Sequence, residues 1–381
     1  MRLSELLAGI DAHIDGADVE VTGLAYDSRR VRAGDMFAAL VGVTSDGHKF
    51  VEGALARGAS AVLCERAVAV GRATRIVVGD TRRALAHVAR TLYGDPAAAL
   101  AMVGITGTNG KTTTAQLVQA MLSAAGRPCG VVGTLGSHFA GTTHETGMTT
   151  PESVDLVALV ADMRRAGAQA VAMEVSSHAL AQRRVDGLAY DAAVFASFSQ
   201  DHLDYHGDMA GYFAAKRRLF DELRKPQGVA VLNVDDPRIA VLAGERCLRV
   251  SLSSATAEVG VASLAMDREG IRLRARTPRG VVTIASPLRG RFNVLNTLLA
   301  VGVGVALELD LADIVRGLES VRAVPGRFEV VSRAGEPQVI VDYAHTPDAL
   351  TQALGAAREI TTGRLLCVLA AAAIVIVPSA R

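Results

Sequence analysis

The chain has 381 residues, a formal net charge of +1 and 50% hydrophobic residues, enough apolar material for two or three packed units and too much for a disordered or fibrous protein. Its 4% aromatic residues and balanced charge give neither the basic footprint nor the stacking platforms of a nucleic-acid binder, so nucleic acid is not expected as a partner. Cys64, Cys129, Cys247 and Cys367 stand far apart with no CxxC pair, which argues against a zinc site or disulfide framework and fits a reducing cytoplasm. The opening Met1-Arg-Leu-Ser-Glu-Leu-Leu7 does not read as a signal peptide. The longest apolar run, 13 residues at 365–377, is short of the roughly 20 needed to span a bilayer, so no membrane partner is expected.

Residues 1–92 mix strand-like runs at 19–24, 36–40 and 61–63 with a helix near 81–93, the pattern of a small α/β unit. Gly94-Asp-Pro-Ala97 is a turn-rich link. From 98 to 323, strand-like runs at 100–105, 170–175, 192–198 and 228–233 alternate with helical stretches at 114–125, 153–166 and 209–223, which predicts βαβ units around a mostly parallel sheet with ligands at the carboxyl ends of its strands. Val324-Pro-Gly-Arg-Phe328 opens a further strand at 338–343, a helix at 348–359 and a strand from 364. No internal repeat is present.

The segment Gly104-Ile-Thr-Gly-Thr-Asn-Gly-Lys-Thr-Thr-Thr114 joins an apolar strand to a helix. A turn of this kind aims successive backbone N–H groups at one point, where Lys111 adds a mobile cation, Thr112 a hydroxyl suited to Mg²⁺, and the helix N-terminus its partial positive charge. The reading is a nucleotide phosphate loop, against the plainer reading of a glycine-rich turn. Its spacing differs from G-x-x-x-x-G-K-[ST], because Ile105 stands where that form has glycine.

Other strand ends carry polar residues. Met173-Glu-Val-Ser-Ser-His178 offers Glu174 as a carboxylate for Mg²⁺, or as a buried, structurally paired acid. Ser199-Gln-Asp-His-Leu-Asp-Tyr-His206 packs two histidines and two aspartates, equally suited by spacing to zinc or to helix capping; beside the phosphate loop, His202 becomes a metal candidate. Ala214-Ala-Lys-Arg-Arg218 reads as a solvated helix face, and composition alone does not single out Lys216. Asp342-Tyr-Ala-His-Thr-Pro-Asp348 is either functional or a cap supplied by Thr346 or Asp348.

Taken together, the phosphate loop, Tyr26-Asp-Ser28 with Gly34-Asp35, Glu174 to His178, Asp201 to His206, Pro325-Gly-Arg327 and Asp342 to Asp348 resemble the Mur ligase family. These are relatives of the folylpolyglutamate synthetases, ATP-dependent enzymes that join an amino acid to a carboxylate. The resemblance runs from about residue 20 to 368 and is closest to the branch that adds the third residue of the peptidoglycan stem peptide. It implies an α/β architecture of three units: 1–92 for the UDP-substrate, 93–323 for ATP on a parallel sheet, and 324–381 as an incomplete ligase unit.

The resemblance further implies that Gly107, Thr108, Asn109, Gly110, Lys111, Thr112 and Thr113 bind ATP, with Asn293, Asn296, Arg327 and Asp342 also at the nucleotide. Thr112, Glu174 and His202 would serve Mg²⁺, and Lys216 would carry CO₂ as a carbamate (N6-carboxylysine) that helps hold a second magnesium. Lys111, Lys216 and His202 would thus be the catalytic set. Tyr26, Ser28, Val43, Thr44, Ser45, Thr149, Thr150, Ser176, Gln182 and Arg184 would grip UDP-N-acetylmuramoyl-L-alanyl-D-glutamate. The implied enzyme is a cytoplasmic monomer that phosphorylates the D-glutamate side-chain carboxylate and transfers the acyl group to meso-diaminopimelate. The alternatives are the L-lysine-adding ligase and a non-catalytic nucleotide-binding remnant.

The tail departs from the family. After Leu366-Cys-Val368 the family continues Phe-Gly-Cys-Gly-Gly-Asp-Arg-Asp, whereas this chain reads Leu369-Ala-Ala-Ala-Ala-Ile-Val-Ile-Val-Pro-Ser-Ala-Arg381. If the parent DNA used GC-rich codons over this stretch, loss of the C from a TTC codon for that Phe converts the family's reading into this tail and its stop. The expectation is a frameshift or sequencing error at codon 369, with weak ligand binding, no ligation and poor solubility for the chain as written.

Overall fold

The computed structural model describes residues 1–42, 45–333 and 337–369. Val43 and Thr44, and the tail beyond Leu369, lie outside the described residues.

The first region is a five-stranded sheet ordered Ala12–Asp15, Thr74–Val78, Ala61–Cys64, Asp35–Ala38, Gly23–Ala25, parallel except at its first pair. The strand expected at 19–24 is only Gly23–Ala25, with Glu20 instead in an isolated bridge to Arg2. Helix Thr81–Leu92 follows, its first turn capped by Asp80 accepting from the Arg83 N–H, as a short acceptor ahead of free amides does. In the link, Gly94 and Asp95 adopt left-handed φ of 70° and 45°.

An eleven-stranded sheet forms the body, ordered Gly280–Ser286, Ile271–Thr277, Val259–Met266, Cys247–Ser251, Arg224–Asn233, Tyr190–Phe195, Ala101–Thr106, Ala170–Glu174, Cys129–Gly133, Gly136–Phe139, Thr142–His144. Its middle is parallel, as the alternating pattern requires, and both ends are antiparallel. The antiparallel end at 259–286 was not read from the sequence. Its signal is the period-two alternation of Ile271-Arg-Leu-Arg-Ala-Arg-Thr277, where Ile271, Leu273, Ala275 and Thr277 are buried and Arg272 and Arg274 exposed, the mark of a sheet with one wet face.

The middle strands are covered on both sides. On one face Val103, Ile105 and Val194 pack with Leu117, Val118, Leu298 and Ile314 of helices Lys111–Ala124, Arg291–Ala306 and Leu311–Ser320. On the other, Met102, Val171 and Phe195 join Leu156, Val157 and Leu219 of helices Ser153–Arg165 and Met209–Asp221, in a cluster that continues into Met36, Leu63 and Ile76 of the first sheet.

The last region is a ribbon, Glu329–Val330 against Ile340–Val341, with helix Pro347–Glu359. The strand expected from Arg364 does not form over 364–369. No described strand pairs with this segment, and without a ladder partner its amides gain nothing from extended order; Leu366 and Val368 are 75% and 95% exposed.

Register places the site. Glu174 lies opposite Ile105, and Phe195 opposite Thr106, so the phosphate loop, the 175–178 turn and the 196–202 segment leave neighbouring strands at the same carboxyl end.

Candidate active site at the carboxyl end of the central sheet

A cavity of about 290 Å³ opens here, lined by the loop from Thr108 to Thr113 and by Thr134, Thr149, Glu174, Ser176, Asp201, His202, Asn296, Arg327, Asp342 and His345. The loop's path depends on glycine. Gly110 precedes the helix with φ of 86°, and a Cβ there would stand 2.5 Å from the Asn296 amide oxygen, so only glycine permits both the left-handed turn and the close approach. Ser197 clamps the loop, accepting from the Asn109 N–H at 2.8 Å and donating to the Asn109 carbonyl at 3.0 Å.

Two amines meet on one loop carbonyl. Lys111 Nζ donates to the carbonyls of Gly107 and Thr108, both at 2.9 Å, and Lys216 Nζ donates to the Gly107 carbonyl at 3.0 Å. Lys216 is 1% exposed and its ammonium lies 4.6 Å from the Tyr212 ring centre. Burial pulls the Lys111 pKa down; the Glu174 charge opposes this, while the Arg327 charge adds to it. Burial, followed by the charge of Lys111, drives Lys216 well below the usual lysine range. Neither lysine ion-pairs with a carboxylate among the described residues.

Glu174 is 1% exposed. It accepts from the Thr134 N–H at 2.8 Å and from the Thr134 hydroxyl at 3.2 Å, so the paired-acid reading is met by hydrogen bonds and not by an ion pair. Thr134 also exchanges a hydrogen bond with Thr149 at 3.1 Å. The Thr112 hydroxyl accepts from Arg327 at 3.1 Å, and that guanidinium lies 4.7 Å from the Tyr343 ring centre.

His202 takes a left-handed φ of 52° ahead of the short helix Leu203–His206 and sits 4.6 Å, ring to ring, from His178. Burial lowers its pKa against the opposing charge of Asp201. Burial also takes His178 down to about 4, helped by His202 and His206. Among the described residues no three His, Cys, Asp or Glu side chains converge as a metal-binding group. The zinc alternative for 199–206 therefore has no geometric basis.

The structure distributes the remaining candidates. Asn296 lines the cavity, while Asn293 stands behind it, accepting from the Asn296 amide at 3.0 Å. Asp342 accepts from the Phe328 N–H at 2.7 Å. The helix cap is Thr346, which accepts from the Ala349 N–H, whereas Asp348 accepts from Asn109 at 3.3 Å. Thr150 donates to the Glu174 carbonyl and accepts from the Ser176 N–H. Gln182 and Arg184 lie beside Thr150 through the Arg184 bonds to the Thr150 carbonyl, 3.0 Å, and to Gln182, 2.5 Å. Tyr26 and Ser28 lie apart from this cavity, with the Tyr26 hydroxyl donating to Asp155, and Ser45 precedes the turn Gly47–Phe50. Sequence reasoning missed Thr134, Ser197, Glu152 and Asp155. Only Glu152 and Asp155 carry a local signal, acids at the start of a helical run.

Three family models match in succession: the Mur ligase family catalytic domain over residues 20–101, the Mur ligase middle domain over 105–304, and the Mur ligase glutamate ligase domain over 326–373. The UDP-N-acetylmuramoyl-L-alanyl-D-glutamate--2,6-diaminopimelate ligase of Geobacter metallireducens is 45% identical over 378 residues, covering 97% of this chain and 74% of that protein. The ligase of the same name from Coxiella burnetii is 41% identical, covering 92% and 74%. A solved structure of a ligase with that name matches with a TM-score of 0.81 at 32% identity, covering 94% of this chain and 74% of the other. MurF from Acinetobacter baumannii shares the fold with a TM-score of 0.69 at 23% identity, over 94% and 76%. The three matched domains in their order, and relatives above 40% identity across nearly the whole chain, place it in the Mur ligase family.

Proposed function

We propose that this chain is the ATP-dependent ligase that adds meso-diaminopimelate to UDP-N-acetylmuramoyl-L-alanyl-D-glutamate in peptidoglycan synthesis. The observation that carries the reading is the 45% identity to a ligase of that name over 97% of the chain. The same similarity favours it over the lysine-adding enzyme and the nucleotide-binding remnant. No described helix is long and apolar enough to cross a membrane. We read the chain as a cytoplasmic monomer, with units at 1–92, 93–323 and 324–381.

In this reading the γ-phosphoryl group of ATP passes to the side-chain carboxylate of the D-glutamate. The diamino acid's amine then attacks the acyl phosphate, and phosphate leaves as the amide forms. The protein supplies alignment and charge rather than covalent chemistry. Loop amides from Gly107 to Thr113 cradle the phosphates, and Lys111, held on two carbonyls without an ion pair among the described residues, swings to them. Asn296, Arg327 and Asp342, with Asn293 behind Asn296, bound the nucleotide pocket. Tyr26, Ser28, Val43, Thr44 and Ser45 hold the UDP end of the other substrate, and Thr149, Thr150, Ser176, Gln182 and Arg184 hold its peptide end.

The residues suit Mg²⁺: Glu174 is a buried carboxylate with no ion pair among the described residues, and it shares the cavity with the Thr112 hydroxyl and His202. Those three, with Lys216 as a carbamate, would hold the ion, whose charge offsets that on the phosphoryl group in transfer. Lys216 suits the modification because CO₂ adds to a neutral amine, and its burial beside Lys111 favours that form.

The test is calorimetry with Mg²⁺–AMP-PNP and with the UDP-muramoyl dipeptide, followed by an amide-forming assay with meso-diaminopimelate and L-lysine. Binding of both ligands is expected. A chain that binds neither overturns the proposal. Running the assay also on the chain with its frame restored at codon 369 decides the sequence-based expectation about the tail.

A further inference from the structure

Outside the cavity, one carboxylate is shared by two arginines. Glu152 is 7% exposed and occupies the N-cap position of helix Ser153–Arg165, yet its side chain makes no capping bond. An acceptor there ordinarily satisfies the helix's free amides. Instead both its oxygens accept from Arg82, at 3.0 and 3.2 Å, and Arg184 Nε stands 3.2 Å from one of them. Arg82 belongs to helix Thr81–Leu92 of the first region, so the triad crosses between the two sheets.

The contacts fix one member more than the others. Arg184 has its Nε 3.2 Å from Glu152 as an ion pair without a hydrogen bond, Nη1 on the Thr150 carbonyl and the Met148 sulfur, and Nη2 on Gln182. Of the five N–H groups in the rigid fork, one on Nη2 is left uncommitted among the described residues. Burial lowers the Arg184 pKa, with Glu152 the leading charge that opposes it and Arg82 a charge that adds to it. Without the carboxylate, two guanidinium groups would face each other in a poorly hydrated place, and one of them would move away.

We infer that Glu152 is a positioning residue that aims Arg184 at a carboxylate of the bound UDP-muramoyl dipeptide and, through Arg82, ties that aim to the first sheet. The inference rests on the substrate reading above. An arginine held in place offers a carboxylate an aimed, charge-assisted hydrogen bond, and a loose one spends that interaction on ordering itself. The neighbouring links Arg183–Asp80 at 2.7 Å and Tyr26–Asp155 hold the same seam through side chains other than Glu152 and Arg184, so they keep the regions together when Glu152 is changed.

Calorimetry on the 381-residue chain tests this with three probes: the UDP-muramoyl dipeptide, UDP alone and Mg²⁺–AMP-PNP. E152Q is expected to weaken the dipeptide about tenfold or more and to leave the other two within about twofold, since only the dipeptide offers Arg184 a carboxylate. R82M is expected to weaken the dipeptide in the same direction, and the double variant to be no weaker than E152Q, because both act through one arginine. Unchanged dipeptide affinity in E152Q, or an equal loss for AMP-PNP or UDP, overturns the inference alone. A wild-type chain that binds AMP-PNP but not the dipeptide overturns the substrate reading and this inference with it.

Discussion

The phosphate loop and the seam between the two sheets treat positive charge in opposite ways. At the phosphate loop, Lys111 and Lys216 converge on the Gly107 carbonyl with no carboxylate paired to either among the described residues. At the seam between the sheets, Arg82, Arg183 and Arg30 each meet an acid: Glu152, Asp80 and Asp155. A buried cation without a partner is costly to the fold, so its presence marks where an anionic ligand or a modification completes the charge balance. A matched pair marks where the protein holds itself together.

Four substitutions would break or sharpen this contrast. The largest effect belongs to Lys111→Met: if its charge is reserved for phosphate, single-turnover phosphoryl transfer in a frame-restored chain falls about 10²- to 10³-fold, and a smaller loss would mean the loop amides suffice. Next is Lys216→Met, which removes an unmatched buried amine. Thermal unfolding should show no loss of stability while phosphoryl transfer collapses; a clear drop in Tm would show that the amine stabilises the fold and that the contrast is wrong.

Tyr26→Phe takes one hydrogen bond from the matched seam and should cost about 1 kcal/mol in urea unfolding, with AMP-PNP affinity unchanged. The smallest effect concerns Asp46. Its hydrogen bond to Arg66, followed by those from His48, holds its carboxyl well below the usual range. A lowered folded pKa stabilises above the unfolded value, near 4, and that stabilisation is lost as pH falls through the folded value. Asp46→Asn should therefore lower Tm slightly at pH 7 and make no difference at the acid end; a difference that grows as pH falls would contradict the assignment.

The glycine spacing and Lys-Thr of the loop were legible because backbone geometry demands them locally: no other residue than glycine accommodates φ of 86° at Gly110 beside Asn296. Glu174 and His202 were legible as polar residues closing apolar strands. Lys216 was not, since on helix Met209–Asp221 it looks like its exposed neighbour Arg217, and only the packing of that helix on the loop strand buries one and leaves the other in water. The Arg364 strand failed for the reciprocal reason, an apolar run with no described neighbour to complete its ladder.

By itself, then, the sequence determined the elements whose chemistry is local: the loop, the alternating strands and helices of the body, and the family to which they point. Tertiary structure decided which charges are matched. Glu152 abandons its own helix end for Arg82 and Arg184, and Thr134 reaches Glu174 across 40 residues of chain. The physical reason is that the energy of a charge depends on what surrounds it and how much water reaches it, and both are set by parts of the chain remote in sequence.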